Sequence, residues 1–185
     1  MNNPHIAQEQ WLKKYYFVRA AFSIAWVAAA FSVGRHSAAL AAALLICYPA
    51  WDAMANLADG SHSGGLASNR TQALNVLASL VVAAAVGFVL PEMHQVLAVF
   101  GAWAILSGLL QLGTALRRWK SFGAQWAMVL SGAQSALAGT VFIIQAGKPE
   151  EPSIITVAGY AGFGAFYFLV SALSLSVKAM RSKQV

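Results

Sequence analysis

The sequence predicts an all-α, polytopic membrane protein: six transmembrane helices arranged as three helical hairpin repeats in a single domain, residues 1–185. Three observations lead there. The chain is 59% hydrophobic and only 10% charged, more apolar side chain than a soluble domain of this size buries, since about half of any small domain's surface faces water. Its charges fall in short clusters between apolar runs of about 20 residues, the length that crosses a hydrocarbon core of about 30 Å. Similar segments also recur along the chain, as in repeat architectures.

The first expected span, 15–34, follows the polar stretch MNNPHIAQEQWLKK. Its apolar run outlasts a signal-peptide core of about 7–15 residues, so it reads as a retained helix. The short turn Gly34-Arg35-His36-Ser37 returns the chain into a second span, 37–57. Pro49 within it frees the carbonyl of Leu45 and bends the helix just before Asp52. Residues 58–69, ADGSHSGGLASN, read as a flexible cytoplasmic loop. The loop lacks the G-x-x-x-x-G-K-[ST] of a phosphate-binding loop and follows no strand. Spans 70–90 and 95–116 are joined at Pro91-Glu92-Met93-His94, and spans 123–145 and 153–177 at Gly147 to Pro152. The hairpins are therefore 15–57, 70–116 and 123–177.

Basic residues orient the spans. With the N-terminus inside, Lys13, Lys14, Arg19, Arg70, Arg117, Arg118, Lys120, Lys178, Arg181 and Lys183 are cytoplasmic, and only Arg35 and Lys148 lie outside. Ten against two predicts that both termini are cytoplasmic. Trp11, Tyr15, Tyr16 and Trp119 fall where aromatic rings anchor the inner interface. In this setting the net charge of +6 reflects insertion, not nucleic-acid binding.

A shift of 57 residues lays Trp103, Ser107 and Gly108 over Tyr160, Gly164 and Ala165, so the fourth and sixth spans read as copies. A shift of 59 joins the second span less clearly, with Tyr48 under Ser107 and Asp52 under Gln111. Small residues recur at sevens: Gly101, Gly108 and Ala115; Gly132 and Gly139; Ala158, Ala165 and Ala172. That spacing marks helix faces that pack closely. The same faces are candidates for homo-oligomer or membrane-partner contacts.

The stretch FGAWAILSGLLQLGTALRRWKSFGAQWAMVLSGAQSALAGTVFI, residues 100–143, carries a Gly-x-Trp before a Ser-Gly, a Gln before Ala-Leu-Arg, a Trp opening the next helix and paired glycines ending it. In these features it resembles the HdeD-like short-repeat family of bacterial inner-membrane, acid-resistance proteins. The resemblance covers about residues 70–143 and extends into the sixth span. Tyr48-Pro49-Ala-Trp51-Asp52 departs from the pattern. It implies a six-helix inner-membrane protein linked to stress, and it brings no catalytic residues.

Ionisable groups inside a bilayer are the strongest pointers to function, because each costs about 2.5–3.5 kcal/mol or more at mid-depth. Arg19 and Asp52 qualify, at matched depth in the first hairpin, and are expected to form an ion pair. Asn56, Asn75, Gln111 and Gln125 fall in the same layer, with Gln134 deeper. The layer reads either as a structural lock or as a hydrated ligand or proton site. On the outer face His36, Glu92, His94, Glu150 and Glu151 form a candidate pH-responsive group.

The one cysteine, Cys47, reads as a small buried apolar residue. No nucleophile with a base and no metal-ligand spacing is visible, and His5, His36, His62 and His94 divide between the two sides, so no catalytic, metal or cofactor site is expected. Two functions remain: a non-enzymatic stress protein acting through helix packing or partner contacts, or a small transporter or channel for protons or a small solute.

Overall fold

The computed structural model describes residues 4–120 and 125–181, with side chains from residue 7. Gly123, the expected start of the fifth span, and Lys183 lie outside the described residues, as does the side chain of His5. The helices are α1 (Pro4–Ser32), α2 (Ala38–His62), α3 (Arg70–Val89), α4 (Met93–Arg118), α5 (Gln125–Ala146) and α6 (Ile154–Arg181), with a 3-10 turn at Gly34–His36 between α1 and α2. All six are long and apolar enough to cross a membrane, and no strand occurs among the described residues. Two helix starts are capped by side chains that their sequence supplies: Ser37 accepts from the Leu40 N–H and Asn69 from the Gln72 N–H.

The turns at 34–37, 90–92 and 147–153 gather at one end of the bundle, and the 63–69 connection lies at the other with the start of α1, the end of α4, the start of α5 and the end of α6. The closest helix pairs are α4 with α5, α1 with α6 and α2 with α3. Partners within one expected hairpin touch less, so the packing unit is offset by one helix from the sequence repeat. Glycine explains the tightest pair. A methyl group on Gly108 would lie 2.6 Å from the Gly132 carbonyl oxygen, and one on Gly139 would lie 2.5 Å from that of Gly101. The α4 and α5 backbones therefore touch at two levels one heptad apart, where dispersion replaces the hydrophobic drive that lipid does not supply. Gly101, Gly108, Gly132 and Gly139 are thus spent inside the chain, and Ala158, Ala165 and Ala172 are buried as well. The faces expected to meet a partner are occupied.

Two further expectations change. Residues 58–62 of the expected loop are helical, because α2 continues to His62 with Asp59 and Gly60 buried. The remaining connection is not loose. Gly64 and Gly65 take positive φ, Gly65 N–H donates to the Gly60 carbonyl, and Ser68 Oγ donates to that of Gly64. A side chain on Gly60 would collide with Leu66, which folds back onto the helix end. Cys47, expected to be buried, is exposed on the outer surface of α2. An apolar run has both lipid-facing and inward positions, so residue type alone does not tell them apart.

Toward the turns the interior is apolar. Leu45, Val86, Phe100, Val157 and Ala161 are fully buried around Trp26 and Phe142. The bundle's outside carries large apolar side chains such as Leu77, Phe88, Leu109 and Leu137, the surface expected of a protein solvated by lipid.

Candidate functional site

Between the apolar end and the chain termini, all six helices surround a polar cavity of about 110 Å³. All five tyrosines of the chain line it: Tyr15, Tyr16, Tyr48, Tyr160 and Tyr167. Two acid–base pairs stand in its wall. Arg19 Nη2 on α1 donates to Asp52 Oδ1 on α2, and Arg118 Nη2 on α4 donates to Asp59 Oδ2 at 3.2 Å.

Asp52 is saturated. Its second oxygen accepts from Asn56 Nδ2 at 2.8 Å and from Ser79 Oγ at 2.8 Å, so α1, α2 and α3 converge on one carboxylate. Asn56 also reaches back to the Asp52 carbonyl at 2.9 Å. Arg19 in turn donates to the Tyr15 hydroxyl at 2.8 Å and lies 4.3 Å over the Phe168 ring. The guanidinium therefore points into the bundle and does not snorkel to the interface. Asp59, only 1% exposed, accepts from Gln72 Nε2 and from Trp11 Nε1 at 3.4 Å in addition to Arg118. Trp11 is stacked on His62, with ring centroids 4.1 Å apart. A buried charge is tolerable in a low dielectric only with such complete pairing.

The remaining expected polar residues also face this space, with different partners. Asn75 donates to Gln72 at 3.5 Å. Gln111 donates to the Met128 carbonyl at 3.1 Å and so ties α4 to α5. Gln125 is buried at the cavity wall. The outer-face group is exposed and spread across separate turns. Arg35 Nε and His36 Nε2 lie 2.8 Å apart, His94 Nε2 lies 3.0 Å from the Lys148 carbonyl, and Glu92, Glu150 and Glu151 face solvent. Among the described residues no group of three or more His, Cys, Asp or Glu could hold a metal ion.

An aromatic layer separates the cavity from the apolar end. Trp103 Nε1 donates to Ser79 Oγ at 3.1 Å and the Tyr160 hydroxyl lies 2.7 Å from Ser135 Oγ, while the buried Ser23 neighbours Tyr48. Ser23, Ser79 and Ser135 are spaced 56 residues apart, and each lies beside the aromatic ring of the next helix. Tyr48 meets Trp103 edge-on at 5.9 Å between centroids. The same registers align the fully buried Leu45, Phe100 and Val157 just beyond the rings. This corrects the repeat: the shift from α2 to α4 is 55, not 59, so Tyr48 corresponds to Trp103 and Asp52 to Ser107. The shift of 57 between α4 and α6 is the one that pairs Trp103 with Tyr160.

Sequence reading missed Asp59, Arg118, Gln72 and the serine–aromatic layer. Asp59 carried a signal: Asp52, Asn56 and Asp59 follow one helical face at i, i+4 and i+7. The serine period of 56 was a second. No family model, curated protein or solved structure matches the chain.

Proposed function

We propose that the chain is a non-enzymatic inner-membrane protein of the HdeD type, both termini cytoplasmic, which admits a small polar solute from the cytoplasmic side into its central cavity and serves stress tolerance through that solute. The observation that carries the reading is the cavity itself: a polar space built by all six helices and closed toward the turns by an aromatic layer over an apolar core. A structural lock needs the ion pairs but not the space. The bias of Lys and Arg toward the termini end supports the orientation, and the resemblance over residues 100–143 supports the HdeD assignment. Action through a partner is less favoured, because the small-residue faces are consumed between the protein's own helices.

Reconstituted vesicles test the reading. A Cys47→Ser, Thr114→Cys variant places one thiol in the cavity wall, in a chain whose only native cysteine is Cys47. A small polar thiol reagent added to the termini side should label it. An unlabelled thiol overturns the proposal.

A further inference from the structure

Resting on that reading, we infer that the solute is uncharged: a small hydrogen-bonding molecule of the polyol, urea or simple amide type, held by Tyr16, Ser131, Gln134 and Tyr167.

The first argument is charge. The cavity wall carries two arginines and two aspartates, and each arginine is joined to one aspartate. Both oxygens of each carboxylate already accept hydrogen bonds, from Arg19, Asn56 and Ser79 on Asp52 and from Trp11, Gln72 and Arg118 on Asp59. An entering ion finds no free counter-charge and bears its desolvation cost uncompensated. The ring that an organic cation would use is also taken, because Arg19 already lies over Phe168.

The second argument is the set of groups left over. The Tyr16 and Tyr167 hydroxyls, the Gln134 amide and the Ser131 hydroxyl line the cavity and have no hydrogen-bond partner among the described residues. Tyr16 is 3% exposed and Ser131 9%, so these two meet a partner only inside the cavity, while Gln134 and Tyr167 are half-buried. Phenol, hydroxyl and amide each donate and accept without charge, which suits a ligand whose own groups do the same. Each of these groups is open to the cavity and can pair there with an entering solute. The space of about 110 Å³ holds a cluster of several waters or one solute of a few heavy atoms.

The test uses the full chain carrying Cys47→Ser and Thr114→Cys in proteoliposomes and reads occupation of the cavity as slowing of thiol labelling, with glycerol, urea and acetamide against acetate, choline and glycine. Expected is half-maximal slowing by the uncharged three at concentrations at least tenfold lower than by the charged three. Tyr16→Phe and Gln134→Leu should each raise those concentrations at least threefold, with unchanged melting as the folding control. Equal or stronger slowing by acetate, choline or glycine overturns the inference while leaving the cavity's role intact. Slowing by none of the six, with the thiol labelled, overturns the inference alone. A thiol that is not labelled at all removes the proposed function and the inference with it.

Discussion

Toward the turns the helices meet through Leu45, Val86, Phe100 and Val157, whereas toward the chain ends they meet through Asp52, Asp59, Arg19 and Arg118. Both regions lie within spans of similar apolar composition. The first is held by close contact of apolar surfaces, which in lipid brings dispersion but little hydrophobic gain. The second is held by directional bonds that leave a space when the side chains are too few or too short to fill it. A membrane bundle can thus be tight at one end and hollow at the other without loss of cohesion, provided every charge bordering the hollow is paired. The aromatic layer of Tyr48, Trp103 and Tyr160 marks the boundary, with a serine of the preceding helix beside each ring and bonded to Trp103 and Tyr160.

The difference can be broken at either end. Asp52→Ala strands Arg19, Asn56 and Ser79 together and is expected to cost about 3–5 kcal/mol in detergent unfolding. Combining Asp52→Leu with Arg19→Met should cost much less than either change alone, whereas additive losses would show that the pair is not coupled. At the apolar end Leu45→Ala leaves a void among fully buried neighbours and should cost about 3 kcal/mol by the same measurement. At the boundary Ser79→Ala is expected to cost about 2 kcal/mol and Ser23→Ala about 1 kcal/mol, because only Ser79 also donates to a carboxylate. Equal effects would place the serine's value in the ring contact alone. Outside both regions, Lys178→Ala removes a pair to Glu9 in which the lysine side chain is 53% exposed, and the unfolding midpoint should barely move.

Arg19 and Asp52 were legible before any coordinates, because a charge inside an apolar run has few explanations and matched depth suggests a partner. Asp59 was not, because Gly and Ser after it read as the start of a loop. Its burial follows from Trp11, Gln72 and Arg118, which lie on three other helices. The glycines at sevens announced close packing but not with whom, since a small-residue face is equally suited to a neighbour in the same chain or in another. Cys47 was misjudged for a related reason: within an apolar helix in lipid, hydrophobicity no longer separates inside from outside.

Length, composition and charge placement thus determined by themselves that six helices cross a membrane and that a charged pair lies within the first two. Those properties are set by the transfer of each segment from water to lipid, which is additive along the chain. Which helices pair, where the repeat is in register, and that a hollow survives between two paired carboxylates were decided only by tertiary structure. They depend on shape and on bonds between segments far apart in sequence, to which the transfer term is blind.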